Sequence, residues 1–226
     1  FGSIREEPYA FERVEVLKGP GAVVNGIAPG GSVGGGINVV SKRASDTPLT
    51  RLTGIYTGKS NFGLGLDMGR RFGENNEWGI RFNGLARDGE ATIDDGNQKT
   101  VFGALGIDYR NERMRWSLDV ISQHDDTDNF RPQISLQSGL TAIPAPPDAR
   151  KNFYPGTTLL QKDSTVATRI EYDISDALSA YAGIGYRDGT NEQVFPGTSS
   201  RGITPAAQPV DVNGNFRVLN SFYDSY

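Results

Sequence analysis

No cysteine occurs in this chain, so a disulfide framework and a thiolate metal site are both excluded. There is one histidine, His124, and no serine or cysteine nucleophile is arranged with it as a triad requires. Basic residues are not in excess: 23 Lys and Arg face 27 Asp and Glu, a formal charge of −4, which argues against general nucleic-acid binding. No stretch approaches the ~18 consecutive apolar residues of a membrane-crossing helix. Apolar residues are also scarce, at 36% against a usual globular share of about 45–50%. Scarcity of this kind, with 29 glycines, fits a disordered chain, yet aromatics reach 10% and alternate regularly with polar residues, which disordered chains do not do.

What is present is a period of two. Phe62, Leu64, Leu66 and Met68 alternate with Gly63, Gly65 and Asp67. Trp78, Ile80 and Phe82 do the same against Gly79, Arg81 and Asn83. The pattern recurs over Val101–Arg110, Arg115–Val120, Val166–Asp173 and Ala180–Arg187. Counting from near Thr50 to a last segment at Asn215–Tyr226, about eight strands are expected. A soluble sandwich alternates too. Here the connections also alternate, short at Phe72–Glu77, Asn111–Arg113 and Ser175–Ala177, long at Gly89–Asn97, Thr127–Lys162 and Asn191–Gly214. Short turns at one end and long loops at the other are the outer-membrane pattern. Trp78 and Trp116 follow short turns while Tyr109 and Tyr172 precede them, which predicts an aromatic girdle at one membrane face.

The first forty or so residues read differently. Val14–Leu17 is a short strand stopped at Gly19-Pro20, and Ile37–Val40 is a second one behind a glycine cluster. The stretches Glu12-Arg13-Val14-Glu15-Val16-Leu17-Lys18-Gly19-Pro20 and Gly30-Gly31-Ser32-Val33-Gly34-Gly35-Gly36-Ile37-Asn38-Val39-Val40-Ser41-Lys42-Arg43 resemble the end of the plug domain of TonB-dependent outer-membrane receptors. Gln161-Lys162-Asp163, Glu171-Tyr172-Asp173-Ile174-Ser175-Asp176 and Tyr181-Ala182-Gly183 are similar to the siderophore branch that imports ferrichrome and other hydroxamate chelates. Ile143–Pro147 and Asn152–Gly156 look like that branch's third external loop.

The resemblance implies an all-β fold. An antiparallel transmembrane β-barrel, represented by about eight of its roughly 22 strands, would follow the C-terminal part of a plug. Residues 1–45 are then plug and residues 46–226 barrel, with both ends of the chain cut. The implied protein sits in the outer membrane of a Gram-negative bacterium, among outer-membrane lipid. It binds a ferric siderophore at external loops and imports it when the TonB inner-membrane complex acts on an N-terminal box that lies outside these residues. It needs no cofactor beyond the transported ligand, binds no nucleic acid and is no enzyme. Asn25 stands where many relatives have Tyr before the glycine at Gly26.

Phe130, Arg131, Gln133, Phe153 and Tyr154 are the expected substrate contacts, aromatic faces supplying area with few rotatable bonds and Arg131 an anion partner. Phe195 and Arg201 are secondary candidates of the same type. Arg13 and Glu15 are expected to face the barrel wall and meet inward charges such as Arg81, Asp108, Asp119, Arg169 or Glu171. A hydrated, charged contact of that kind loosens under force more readily than a dry one. His124 with Asp125, Asp126 and Asp128 offers oxygen ligands for a hard cation, but a solvated rim accounts for the cluster, and no metal site is expected. The glycine runs lack the Lys-Ser/Thr pair of a phosphate loop. Asp94 and Asp95 lie in a loop and diverge. Three alternatives stay open: a receptor for cobalamin, a sugar or another metal complex; a complete small barrel acting as anchor or adhesin; and an outer-membrane hydrolase dependent on His124.

Overall fold

The structure, a computed structural model, describes residues 7–19, 35–90, 92–129, 150, 156–196, 202–203, 209–210 and 218–225. A 3-10 turn at Pro8–Ala10 leads into β1 (Phe11–Lys18), which pairs antiparallel with β2 (Gly35–Ser41). Valine and isoleucine meet across this hairpin, Val14 opposite Val39 and Val16 opposite Ile37, while Glu15 faces Asn38. Both strands run beyond the short apolar cores expected for them.

Eight further strands form one sheet: β3 (Leu49–Thr57), β4 (Asn61–Phe72), β5 (Trp78–Asp88), β6 (Gln98–Arg110), β7 (Met114–Asp128), β8 (Thr158–Ser175), β9 (Leu178–Pro196) and β12 (Val218–Ser225). A two-residue ladder, β10 (Gly202–Ile203) with β11 (Pro209–Val210), lies in the link before β12. Every strand of the large sheet pairs antiparallel with its sequence neighbour, so spatial order equals chain order. β3 and β12 occupy the two ends of that order and do not pair with each other among the described residues. Among the described residues the eight strands thus form an open sheet rather than a closed eight-stranded barrel. Two of the three long connections are shorter than expected because β7 continues to Asp128, β8 starts at Thr158 and β9 reaches Pro196; the third, Gly89–Asn97, is as expected. Outside a bilayer a strand needs no apolar alternation to persist, so its outer part left no periodic trace.

The face on which residues 7–10 and 42–46 lie is the inner one. It carries Asp67, Arg81, Asn83, Asp108 and Asp163, all buried. The opposite face presents Leu64, Met68, Ile80, Phe82, Val101, Val120, Val166, Ile170 and Ile184 to the outside. Trp78 stacks 4.8 Å from Tyr109 and 6.1 Å from Trp116, centroid to centroid, which forms the expected girdle at the short-turn end. Trp116 Nε1 donates to Thr168 Oγ1 at 3.0 Å, so its one polar atom is satisfied. Tyr56 and Phe62, 4.9 Å apart, stand at the other end. Phe62 to Phe72 on β4 spans ~34 Å of strand, which at a ~40–45° tilt covers about 25 Å, the height of an outer-membrane apolar band.

Candidate functional site

The site is a seam where residues 7–10 and 42–46 dock on the inner face. An apolar island starts it. Leu85, Phe102 and Ala104 are buried together with Ala10, and Tyr9, Phe11, Ile55 and Ile121 pack around them. Tyr9 lies directly on Gly65, where an added Cβ would meet its hydroxyl at 2.6 Å, so a side chain at that wall position would expel the ring. The Lys42 ammonium lies 4.5 Å from the centre of the same ring, within cation–π range.

Charge fixes the rest. Lys42 Nζ donates to Asp67 Oδ2 and to Asn83 Oδ1, both at 3.1 Å. Arg81 meets Asp67 in a two-armed pair, Nε to Oδ1 at 2.5 Å and Nη2 to Oδ2 at 2.9 Å. Its remaining arm donates to the Arg43 carbonyl at 3.2 Å. Asp67 is almost wholly buried, at 1% exposure, and a carboxylate there is tolerated because two cations and fixed geometry replace water. Arg43 makes its own two-armed pair with Asp119, at 2.5 and 2.6 Å. Burial opposes the Arg43 charge, but Asp119, with a lesser contribution from Asp108, outweighs it and raises the guanidinium pKa. Arg71 holds the Ala44 carbonyl at 3.0 Å and Asp108 Oδ2 at 2.8 Å. Arg110 pairs with Asp46 where the segment leaves the seam. On the far side Arg87 Nη2 donates to Glu7 Oε2 at 3.2 Å, and the Glu7 N–H donates to Gln123 Oε1 at 2.9 Å. At the short-turn end a cleft of ≈ 330 Å³ opens between Arg43, Arg71, Asp108, Arg115, Arg169 and Glu171.

Arg13 and Glu15, expected to face the barrel wall, are bonded within the hairpin among the described residues. Arg13 Nε donates to Glu15 Oε1 at 2.6 Å and Asn38 Nδ2 donates to Glu15 Oε2 at 2.8 Å, so the pair is satisfied inside the hairpin. Two residues apart on one strand, they share a face, and the cross-strand neighbour of Glu15 is Asn38. Hydrogen bonds from Arg13 and then Asn38 hold the Glu15 carboxyl below the usual range. Of the inner-wall charges named for them, Asp119 pairs with Arg43, Arg81 donates to the Arg43 carbonyl and pairs with Asp67, and Asp108 pairs with Arg71 of β4 itself. The signal available in the sequence was the basic pair Lys42-Arg43 that ends the second plug-like stretch.

Phe130, Arg131, Gln133, Phe153, Tyr154 and Arg201 lie outside the described residues. Phe195 pairs through its backbone with Leu219 at the end of β9. His124 faces outward on β7, opposite Lys162, whereas Asp125 is buried on the inner side, accepting from Thr100 Oγ1 at 2.6 Å. Strand alternation thus divides that cluster between two faces. Asp94 pairs with Lys59 at 2.6 Å, an interaction that raises the lysine pKa, while Asp95 adopts a left-handed φ of 59°.

No family model matches the chain. The chain is 43% identical over 176 residues to the ferrichrome receptor FcuA of Yersinia enterocolitica, covering 77% of this chain and 23% of that protein. It is 34% identical over 85 residues to the ferrichrome outer membrane transporter/phage receptor of Escherichia coli K12, covering 38% of this chain and 11% of the transporter. Among solved structures, BauA, the ferric preacinetobactin receptor from Acinetobacter baumannii, superposes with a TM-score of 0.79 at 39% identity, over 88% of this chain and 30% of BauA. The siderophore receptor PiuA from Acinetobacter baumannii, at 22% identity and a TM-score of 0.72 over 85% of this chain and 28% of PiuA, shares the fold. The chain therefore spans less than a third of each of these proteins. Identity of 43% over 77% of this chain, with 39% to a superposable receptor barrel, exceeds what a common architecture demands, and the chain belongs to the TonB-dependent outer-membrane receptors.

Proposed function

We propose that this chain is the end of the plug, residues 1–45, and the first strands of the barrel, residues 46–226, of a receptor that imports a ferric siderophore. The observation that carries the reading is the seam itself: a segment held by charged and hydrogen-bonded contacts on the polar inner face of an open, outwardly apolar sheet. A seam of this composition suits a gate that must be pulled. Each charge-assisted hydrogen bond contributes only about 1.5–3 kcal/mol net, because water replaces it when it breaks. A dry apolar interface of the same area has no such substitute.

In this reading, external loops carrying Phe130, Arg131, Gln133, Phe153 and Tyr154 capture the chelate, and the inner-membrane TonB complex supplies the force. FcuA and the E. coli transporter bear the name of ferrichrome and BauA that of preacinetobactin, which supports a ferric chelate as cargo. The test is uptake of radio-iron as hydroxamate and then catecholate chelates by cells expressing the intact parent gene, with and without working TonB. TonB-dependent uptake of one class is expected. A receptor present in the outer membrane that takes up neither class defeats the siderophore assignment.

A further inference from the structure

Three wall carboxylates lie under residues 42–46, and they differ in what each keeps when that segment lifts. Asp67 keeps Arg81, which pairs with it from β5. Asp108 keeps Arg71, which reaches it from β4 at 2.8 Å. Asp119 pairs, among the described residues, with Arg43 alone. Lifting the segment therefore strips Asp119 of its cation and leaves a carboxylate whose side chain is only 20% exposed. An unpaired charge with so little water around it opposes the movement.

A replacement cation stands nearby. Register places Asp119 opposite Ala167 and Ser117 opposite Arg169, so Arg169 is the diagonal neighbour of Asp119 on the same face. Diagonal positions lie about 7–8 Å apart, within the reach of an extended arginine. The present hold on Arg169 is slight. Its Nη2 is 3.7 Å from Glu171 Oε2, its guanidinium lies 4.8 Å from the centre of the Tyr181 ring, and its side chain is 59% exposed. Glu171 does not depend on it, because Arg115 Nη2 donates to Glu171 Oε1 at 2.8 Å. The ground between is bare. Ala167, Gly183 and Gly185 occupy the adjoining wall positions, and Arg43 and Arg169 both line the ≈ 330 Å³ cleft.

We infer that Arg169 is a positioning residue for the import step: when residues 42–46 leave the wall, its guanidinium takes the place of Arg43 on Asp119. The inference rests on the reading under Proposed function. One ion pair is exchanged for another, so the wall stays neutral at that point while the segment moves. With Asp119 occupied, Arg43 has no seat to fall back on, and reclosure slows. Lysine can carry the charge across, though without the two-armed grip; glutamine cannot.

The test uses the full-length receptor. Arg43→Ala should raise the unfolding equilibrium constant about fivefold more in an Arg169→Gln background than in the parent, the worth of a half-exposed ion pair, and Arg169→Lys should recover most of that difference. Should Arg43→Ala fail to fold, Arg43→Gln, which keeps the stem, takes its place. Crystals of the Arg43→Ala receptor should show the Arg169 guanidinium on Asp119 rather than over Tyr181. With ferrichrome as probe, Arg169→Gln should lower the maximal uptake rate while half-saturation stays as in the parent, and Arg169→Lys should restore the rate; a merely structural arginine would not separate the two constants. Equal penalties for Arg43→Ala in both backgrounds, Arg169 still on Tyr181 in the Arg43→Ala crystal, or an unchanged maximal rate in Arg169→Gln overturns the inference. A parent receptor that takes up no ferrichrome defeats the hydroxamate reading instead, and the unfolding constants and the crystal still decide the exchange.

Discussion

Arg43 grips Asp119 with both arms of its guanidinium, Nη1 to Oδ1 at 2.5 Å and Nη2 to Oδ2 at 2.6 Å, across 76 residues of sequence. Planar fork-to-fork pairing of this type fixes direction as well as distance. Replacing Asp119 with Ala should therefore release residues 42–46 from β7 and lower stability by about 2 kcal/mol, the pair being only partly buried. A double-mutant cycle with Arg43→Met and Asp119→Leu in the parent receptor, read from denaturant midpoints, should give a coupling above ~1 kcal/mol. Simple additivity of the two changes would show that the pair contributes nothing.

Gly106 lies beneath that pair. A Cβ there would sit 2.8 Å from Arg43 Nη1 and 3.2 Å from the Lys42 carbonyl. Gly106→Val should push Arg43 off Asp119 and cost about as much as losing the arginine, roughly 2 kcal/mol. In an Arg43→Ala background the same substitution should cost markedly less. Equal penalties in both backgrounds would place the strain elsewhere.

Phe82 stands on the outer face midway between the aromatic rims, paired with Met68 and Leu105. Phe82→Arg should destabilise the membrane-inserted receptor by ~2–4 kcal/mol, the depth-dependent cost of a cation on the lipid face. Arginine at the adjacent position 81 is native and buried, because that side chain points to the inner face and meets Asp67. Equilibrium unfolding in lipid vesicles measures the contrast.

Glu15 gives a pH signature. Its carboxyl is held below the ordinary glutamate range, first by the hydrogen bond from Arg13 and then by that from Asn38. A folded pKa lowered in this way stabilises the hairpin above the ordinary carboxylate value, and the contribution disappears as pH falls through the folded one. A carboxyl NMR titration of Glu15 should show a midpoint below that of an exposed glutamate. Asn38→Ala should move the midpoint upward by less than Arg13→Ala does. A midpoint at the ordinary value in the parent would mean that the pairing is absent in solution.

The strand pattern was legible because bilayer and lumen impose opposite demands on successive residues. Phe62 to Met68 and Val166 to Asp173 wrote that demand directly into the sequence. The outer ends of β8 and β9 escaped notice because a strand beyond the bilayer needs no apolar alternation, so Lys162, Glu192 and Gln193 read as loop. The partners of the inner charges were illegible for another reason. Asp67, Asp108 and Asp119 are placed by strand register, whereas which cation reaches them depends on how residues 42–46 cross the sheet. Arg13 and Lys42-Arg43 carry the same charge, and only the crossing distinguishes them.

The strictly sequential order of the large sheet has a consequence for biogenesis. Every strand from β4 onward finds its hydrogen-bonding mate one connection back, so each hairpin added extends a finished template and waits for nothing downstream. Assembly can then proceed as a zipper, two strands at a time, with the growing edge at β12 as the receptor for the next hairpin. Damage should follow the same polarity. A substitution that blocks pairing between β5 and β6 stalls every later strand, whereas one between β9 and β12 leaves six pairings already made.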